Sequence, residues 1–184
     1  MNKKSKATVG MVALVIDASI ARATGEVTSR SDLSRSLHHL LNAIQAGSFY
    51  VVFDSELKAE WARHQSNFAR TWRTKMFSSK RLRILDVDAD AELRTSCEAI
   101  ALSDVQFLAL WKDFHLVELA LATDKRVLST HQRIAEILHP LARNIKTLRK
   151  ICWVNPTPPD SDTLKWLAAK APLDDFRMLG YRAE

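Results

Sequence analysis

Three acidic positions, far apart along the chain, could be collected by folding into one site. Asp17 directly follows the apolar run 11–16, Glu56 and Glu60 lie just beyond the run Phe49–Phe53, and Asp113 lies at the helical start of the stretch 112–131. A carboxylate placed directly behind a core strand loses solvation unless a cation compensates it. Three such groups crowded together repel, and each holds its proton more tightly unless a divalent ion neutralises the set. Carboxylate oxygens with room left for water suit Mg²⁺ or Mn²⁺. Beside basic side chains, the reaction that calls for such an ion is phosphodiester hydrolysis, where the metal activates water and offsets charge on the phosphate. The plainer readings are a solvated first-loop Asp17 and a helix-capping Asp113.

The acids meet only if the elements carrying them are ordered correctly. The run 11–16 is continuous and rich in β-branched residues, the pattern of a strand buried on both faces of a parallel sheet. Phe49–Phe53 reads as the second strand, residues 83–87 as an edge-like strand or extended link, Val127 and Leu128 as a short buried strand, and 150–154 as the last. Between the first two, Ser31 and Asp32 cap a predicted helix with apolar face Leu33, Leu37, Leu40, Leu41 and Ile44, stopped by Gly47. Strand–helix–strand order argues for right-handed crossovers, and acids at the carboxyl ends of parallel strands converge in one crevice.

Further helices are predicted after Asp54 and Ser55, with Glu56 and Glu60 one turn apart on one face. Others follow over 88–101, over 103–111 from a Ser103–Asp104 cap, and from residue 112, with Asp113 at the helix start where a carboxylate meets unpaired N–H groups. Residues 132–142 read as a helix interrupted by Pro140, and 163–169 as a short helix capped within 160–162.

From residue 61 to residue 85 there is no acid, while Arg63, His64, Arg70, Arg73, Lys75, Lys80, Arg81 and Arg83 alternate with Phe68, Trp72 and Phe77. Such a segment can hold a phosphate backbone and stack bases. It also reads as one long amphipathic helix with Trp61, Phe68, Trp72 and Met76 in the core and a solvated basic face. The two readings are compatible, and Arg63, Arg70, Arg73 and Lys75 are the expected nucleic-acid contacts.

At 184 residues and 47% hydrophobic, the chain can bury one full core. It divides into a basic tail over 1–10, a main domain over 11–157 and a helical arm over 158–184. A net charge of +6 favours a polyanionic partner. No run approaches the roughly 18–20 apolar residues of a membrane span, and the first apolar run meets Asp17 too soon for a signal peptide. Cys97 and Cys152 lack metal-ligand spacing, which suits free thiols in a reducing cytoplasm.

The segments VALVIDASI (12–20), ELKAEW (56–61), KDFHLVELALA (112–122) and RVLST (126–130) together resemble the PIN domain, in that family's order and across nearly all of 11–154. The resemblance implies a three-layer α/β/α sandwich around a mostly parallel sheet. It also implies a Mg²⁺- or Mn²⁺-dependent ribonuclease, commonly the toxin partner of an antitoxin protein. Position by position, Asp17 is the first acid and Asp113 the third. Glu60 is the second by its distance from the second strand, with Glu56 as the fallback. Ser19 and Thr130 match the small hydroxyl residues that support the metal shell. Where the family has a fourth acid this chain has His131, a poor Mg²⁺ ligand that can ligate Mn²⁺ or Zn²⁺. Asp124 precedes its strand and belongs at the opposite end.

Two rivals remain: a PIN-like module that binds RNA or a protein without cutting, and a helical DNA-binding regulator. The second lacks a compact helix–turn–helix signature and leaves the acids idle. A homodimer would need an exposed apolar helix face.

Overall fold

Short, largely apolar runs form the strands, richest in β-branched residues at the first, and all five pair in parallel. They are β1 (Val12–Ile16), β2 (Phe49–Phe53), β3 (Leu82–Ile84), β4 (Arg126–Leu128) and β5 (Cys152–Val154), in the spatial order β3-β2-β1-β4-β5. The computed structural model describes residues 10–25, 32–100, 103–158 and 162–181. Eight helices accompany the sheet among these residues: α1 (Ala18–Ala23), α2 (Asp32–Ala46), α3 (Ser55–His64), α4 (Asn67–Ser78), α5 (Ala91–Glu98), α6 (Asp104–Leu121), α7 (Gln132–Asn144) and α8 (Thr163–Ala168). The fold is α/β, consistent with three α/β/α layers.

The sheet grows from β1 toward β2 and β3, then resumes on the other side with β4 and β5. The β1/β4 junction is therefore a topological switch point, where a crevice opens outside the strand carboxyl ends. Ile16 pairs with Leu128, so the residues leaving these strands, Asp17 and Ser129, emerge side by side. Leu14, Val15 and Ile16 on β1 and Val51, Val52 and Phe53 on β2 are wholly buried. α6 packs on β1 and β4, and α2 on β2.

Several elements differ from the sequence expectation. The helices predicted over 103–111 and from 112 are one: α6 starts at a Ser103–Gln106 capping box, and no Gly or Pro interrupts it before Leu121. Asp113 consequently sits mid-helix, where it caps nothing. The expected long helix from Trp61 is instead two. Gln65 is extended, and Ser66 Oγ accepts the Ala69 N–H at 3.1 Å to start α4. α7 continues through Pro140 because its buried stripe of Ile134, Ile137, Leu138 and Leu141 outweighs one lost hydrogen bond. α1 was not expected. Leu33 is only half-buried on α2, and the 83–87 strand reduces to β3. The predicted caps at Ser31, Asp160 and Ser161, and tail residues 1–9, lie outside the described residues; Asp162 precedes α8 in a left-handed conformation without a side-chain cap.

The described part of the C-terminal arm folds back on the sheet. Trp166, Leu167, Ala171 and Leu179 are buried, Met178 makes an antiparallel bridge to Cys152, and Leu179 N–H donates to Ile151 C=O at 2.9 Å. Gly180 N–H donates to His139 Nδ1 at 3.1 Å. Cys97 and Cys152 are free and buried, and burial pushes their thiols up to about 11 and about 12, so neither is a ready nucleophile. Among the described residues, no helix is long and apolar enough to cross a membrane.

Candidate metal centre

Asp17 leaves β1 and caps α1. Its carboxylate accepts from Ser19 N–H at 3.1 Å, from Ser19 Oγ at 2.7 Å and from Ser129 Oγ at 2.6 Å. These three donors offset the desolvation of a group only 3% exposed. Ser129 therefore ties the end of β4 to the end of β1, and its Oγ also accepts the His131 N–H at 3.0 Å. The predicted supporting hydroxyl Thr130 takes part through its backbone: its N–H donates to Ser19 Oγ at 3.2 Å.

The second acid arrives on α3. Trp61 anchors that helix, its buried indole N–H donating to Ile16 C=O at 2.8 Å, and Glu60 is the residue before it. Asp113 comes from α6 and is 7% exposed. His131, the residue before α7, brings Nδ1 to 3.3 Å from Asp113 Oδ2 and 3.4 Å from Asp17 Oδ2. Asp17, Glu60, Asp113 and His131 thus line one small crevice of about 40 Å³, with Ser19, Arg22, His64 and Lys112. Of the two candidate second acids, Glu60 lines this crevice and Glu56 lines a neighbouring cavity.

The electrostatics follow from crowding. Burial raises the Glu60 carboxyl above its ordinary range; the charges of Asp17 and Asp113 add to this, while His115 and Lys112 oppose it. The hydrogen bond to Asp113 raises the His131 imidazole, against burial and Arg22, with Asp17 and Asp113 adding through their charge. A carboxylate only accepts, so His131 Nδ1 carries the proton and donates. Its Nε2 faces Arg22 Nη2 at 3.4 Å.

This donor set fits a divalent ion. Three carboxylates predominate over one imidazole, and Asp17 and Asp113 aim an oxygen each at the spot the His131 N–H now fills. Asp124 stands at the other end of β1, accepting Ala13 N–H at 2.7 Å.

The expected nucleic-acid contacts Arg63, Arg70, Arg73 and Lys75 do not line the crevice. Arg63, Arg70 and Lys75 are exposed; Arg73 is partly buried, and burial, with Arg70 adding, lowers its guanidinium. Arg81 belongs to the architecture, donating to the carbonyls of Phe49, Gln45, Ile44 and Gly47 at 2.6–2.8 Å. Of the aromatics, Trp72 is core and donates to Leu41 C=O, Phe68 stacks on His38 at 3.8 Å, and Phe77 is 66% exposed. The cations at the crevice itself are Arg22 and Lys112, which sequence reasoning passed over.

No family model, curated protein or solved structure matches the chain. Fold and site together define an α/β protein with an acidic crevice at the switch point of a parallel sheet.

Proposed function

We propose that the protein is a PIN-like, metal-dependent endoribonuclease that hydrolyses RNA phosphodiester bonds. The observation carrying this reading is the convergence of Asp17, Glu60, Asp113 and His131, from four separate elements, in one crevice at the strand carboxyl ends. Asp17, Glu60 and Asp113 would hold Mg²⁺ or Mn²⁺, with His131 at the fourth position. A divalent ion there supplies water activation and positive charge for the phosphate.

The chain's own residues do the rest. Ser19 and Ser129 fix the Asp17 carboxylate, so its orientation does not have to be found when an ion binds. Arg22 and Lys112 flank the crevice and would receive the phosphates on either side of the scissile bond. Arg63, Arg70 and Lys75 would extend the RNA path along α3 and α4. The toxin role, an antitoxin or second copy as partner, and a cytoplasmic location rest on the PIN resemblance alone.

A second reading, a PIN-like module that binds RNA without cutting, is favoured by one observation. His131 Nδ1 already lies within 3.4 Å of an oxygen of Asp17 and 3.3 Å of an oxygen of Asp113, where an ion would bind. Cleavage of mixed RNA in Mg²⁺, Mn²⁺ or EDTA, with wild type beside Asp17→Asn, separates the two. Metal-dependent cleavage that Asp17→Asn loses supports the nuclease; RNA binding without cleavage under every condition supports the module.

A further inference from the structure

Next to the crevice, on the far side of Glu60, lies a second group of potential ligands. Glu56 and Glu60 are four residues apart on α3 and so share a face. His115, on α6, presents Nε2 to them at 3.9 Å from Glu60 Oε2. One ligand atom from each of Glu56, Glu60 and His115 lies within 4.8 Å of the others.

An acidic pair beside a histidine is common on protein surfaces, but two features set this one apart. The His115 side chain is 7% exposed, yet its Nε2 is buried without a hydrogen-bond partner. A buried polar nitrogen left unsatisfied is costly and calls for a missing partner. Its other nitrogen, Nδ1, lies 3.0 Å from Asp54 Oδ2. When the imidazole is neutral, a carboxylate holding Nδ1–H leaves the lone pair on Nε2, the arrangement that orients metal-bound histidines. Asp54 is itself pinned, since it caps α3 through the Leu57 N–H at 2.7 Å. The adjoining cavity, lined by Asp54, Glu56, Arg94 and His115 among others, measures about 150 Å³, enough for an ion with its waters. Arg94 does not compete for Glu56 as a direct partner: its guanidinium forms a two-bond pair with Glu118 at 2.7 Å each.

We propose that Glu56, Glu60 and His115 form a second divalent-cation site, oriented by Asp54, in which Glu60 is shared with the acidic crevice. The imidazole directs it to Mn²⁺, Co²⁺ or Zn²⁺ in preference to Mg²⁺ or Ca²⁺. An ion there fixes α3 against α6 and sets the direction in which Glu60 points. The site depends on the nuclease reading only through the shared Glu60.

The test is Mn²⁺ and Co²⁺ titration of the EDTA-stripped full chain, followed by electron paramagnetic resonance and visible absorption. Wild type is compared with Asp17→Asn, Glu56→Gln, His115→Gln and Asp54→Asn. Glu56 is exposed, so its variant keeps the fold, and circular dichroism checks the other three. Wild type is expected to bind two equivalents of Mn²⁺. Asp17→Asn retains the second-site ion, with a nitrogen coupling that His115→Gln removes in the same background. Glu56→Gln loses that ion, and Asp54→Asn weakens it by roughly 10–100-fold. Wild-type stoichiometry and affinity in Glu56→Gln, with binding abolished by Asp17→Asn, would overturn the second site and leave the crevice standing. Binding abolished by Glu56→Gln and untouched by Asp17→Asn would support the second site and remove the crevice. No bound Mn²⁺ or Co²⁺ in wild type overturns both.

Discussion

His131 Nδ1 lies 3.3 Å from Asp113 Oδ2, so an imidazole N–H stands where the PIN resemblance calls for a fourth carboxylate. That proton and a divalent ion compete for the same oxygens. The Asp113 hydrogen bond raises the His131 imidazole above its ordinary value of about 6.5, so the competition extends above that pH. Metal affinity is expected to rise as pH increases through this raised value. Mn²⁺, which accepts nitrogen more readily, should bind better than Mg²⁺. His131→Asp removes the proton and adds an oxygen, and should tighten Mg²⁺ by about tenfold or more. Calorimetric titrations on both sides of neutrality check this; equal Mg²⁺ affinities in the two proteins would refute it.

Ser129 and Thr130 should respond very differently to loss of their hydroxyls. Ser129→Ala removes the donor to Asp17 Oδ2 and the acceptor of the His131 N–H. The expected cost is about 1–3 kcal/mol of stability and roughly 10–100-fold in metal affinity. Thr130→Ala leaves its backbone N–H on Ser19 intact and should change either quantity little. Thermal melts and metal titration of the pair decide the matter, and equal losses would show that Ser129 has no special hold on the acid.

RNA binding should depend on two sets of cations to different degrees. Arg22→Ala and Lys112→Ala remove charges at the crevice, so each should lower cleavage and flatten the salt dependence of binding by about 0.7 in slope per lost single-strand contact. The triple change of Arg70, Arg73 and Lys75 to Ala should flatten the slope while sparing the cleavage rate at saturating RNA. An unchanged slope in the triple variant would mark that helix face as merely solvated.

The C-terminal arm should loosen in mild acid. Burial holds the His139 imidazole below its ordinary value, with Arg143 adding to the effect, and its neutral Nδ1 accepts the Gly180 N–H. The unfolded chain takes up this proton near pH 6.5, before the folded chain does. The contribution to stability is therefore complete above about pH 6.5 and falls as pH drops toward the lowered folded value. His139→Gln should abolish that part of the pH dependence, which urea denaturation at neutral and mildly acidic pH measures. Parallel curves for the two proteins would refute the linkage.

The first two strands were legible because each is a continuous apolar run ending at an Asp, and β2 falls at Phe49–Phe53 as read. Asp113 was identified but misplaced within its helix, since Asp is as natural at a cap as at a site and only tertiary packing tells them apart. Ser129 was passed over for Thr130 because the end of β4 decides which hydroxyl turns toward Asp17. The pairing of His115 with Asp54 was hidden because the two residues lie 61 positions apart. Arg81 looked like part of an RNA-binding face. Its carbonyl partners come from the end of α2, the turn after it and the start of β2, a relationship no local pattern encodes.

The antiparallel bridge between Met178 and Cys152 has a consequence for self-association. The outer rim of a sheet presents unpaired N–H and C=O groups that recruit strands from other molecules. Here one rim is occupied from within the chain, while β3 forms the other, only three residues long and ending in Ile84 at 46% exposure. A particle with a single adhesive rim can pair but cannot polymerise. Displacing residues 174–181 from β5 would create a second rim, and with it the minimum requirement for open-ended fibres.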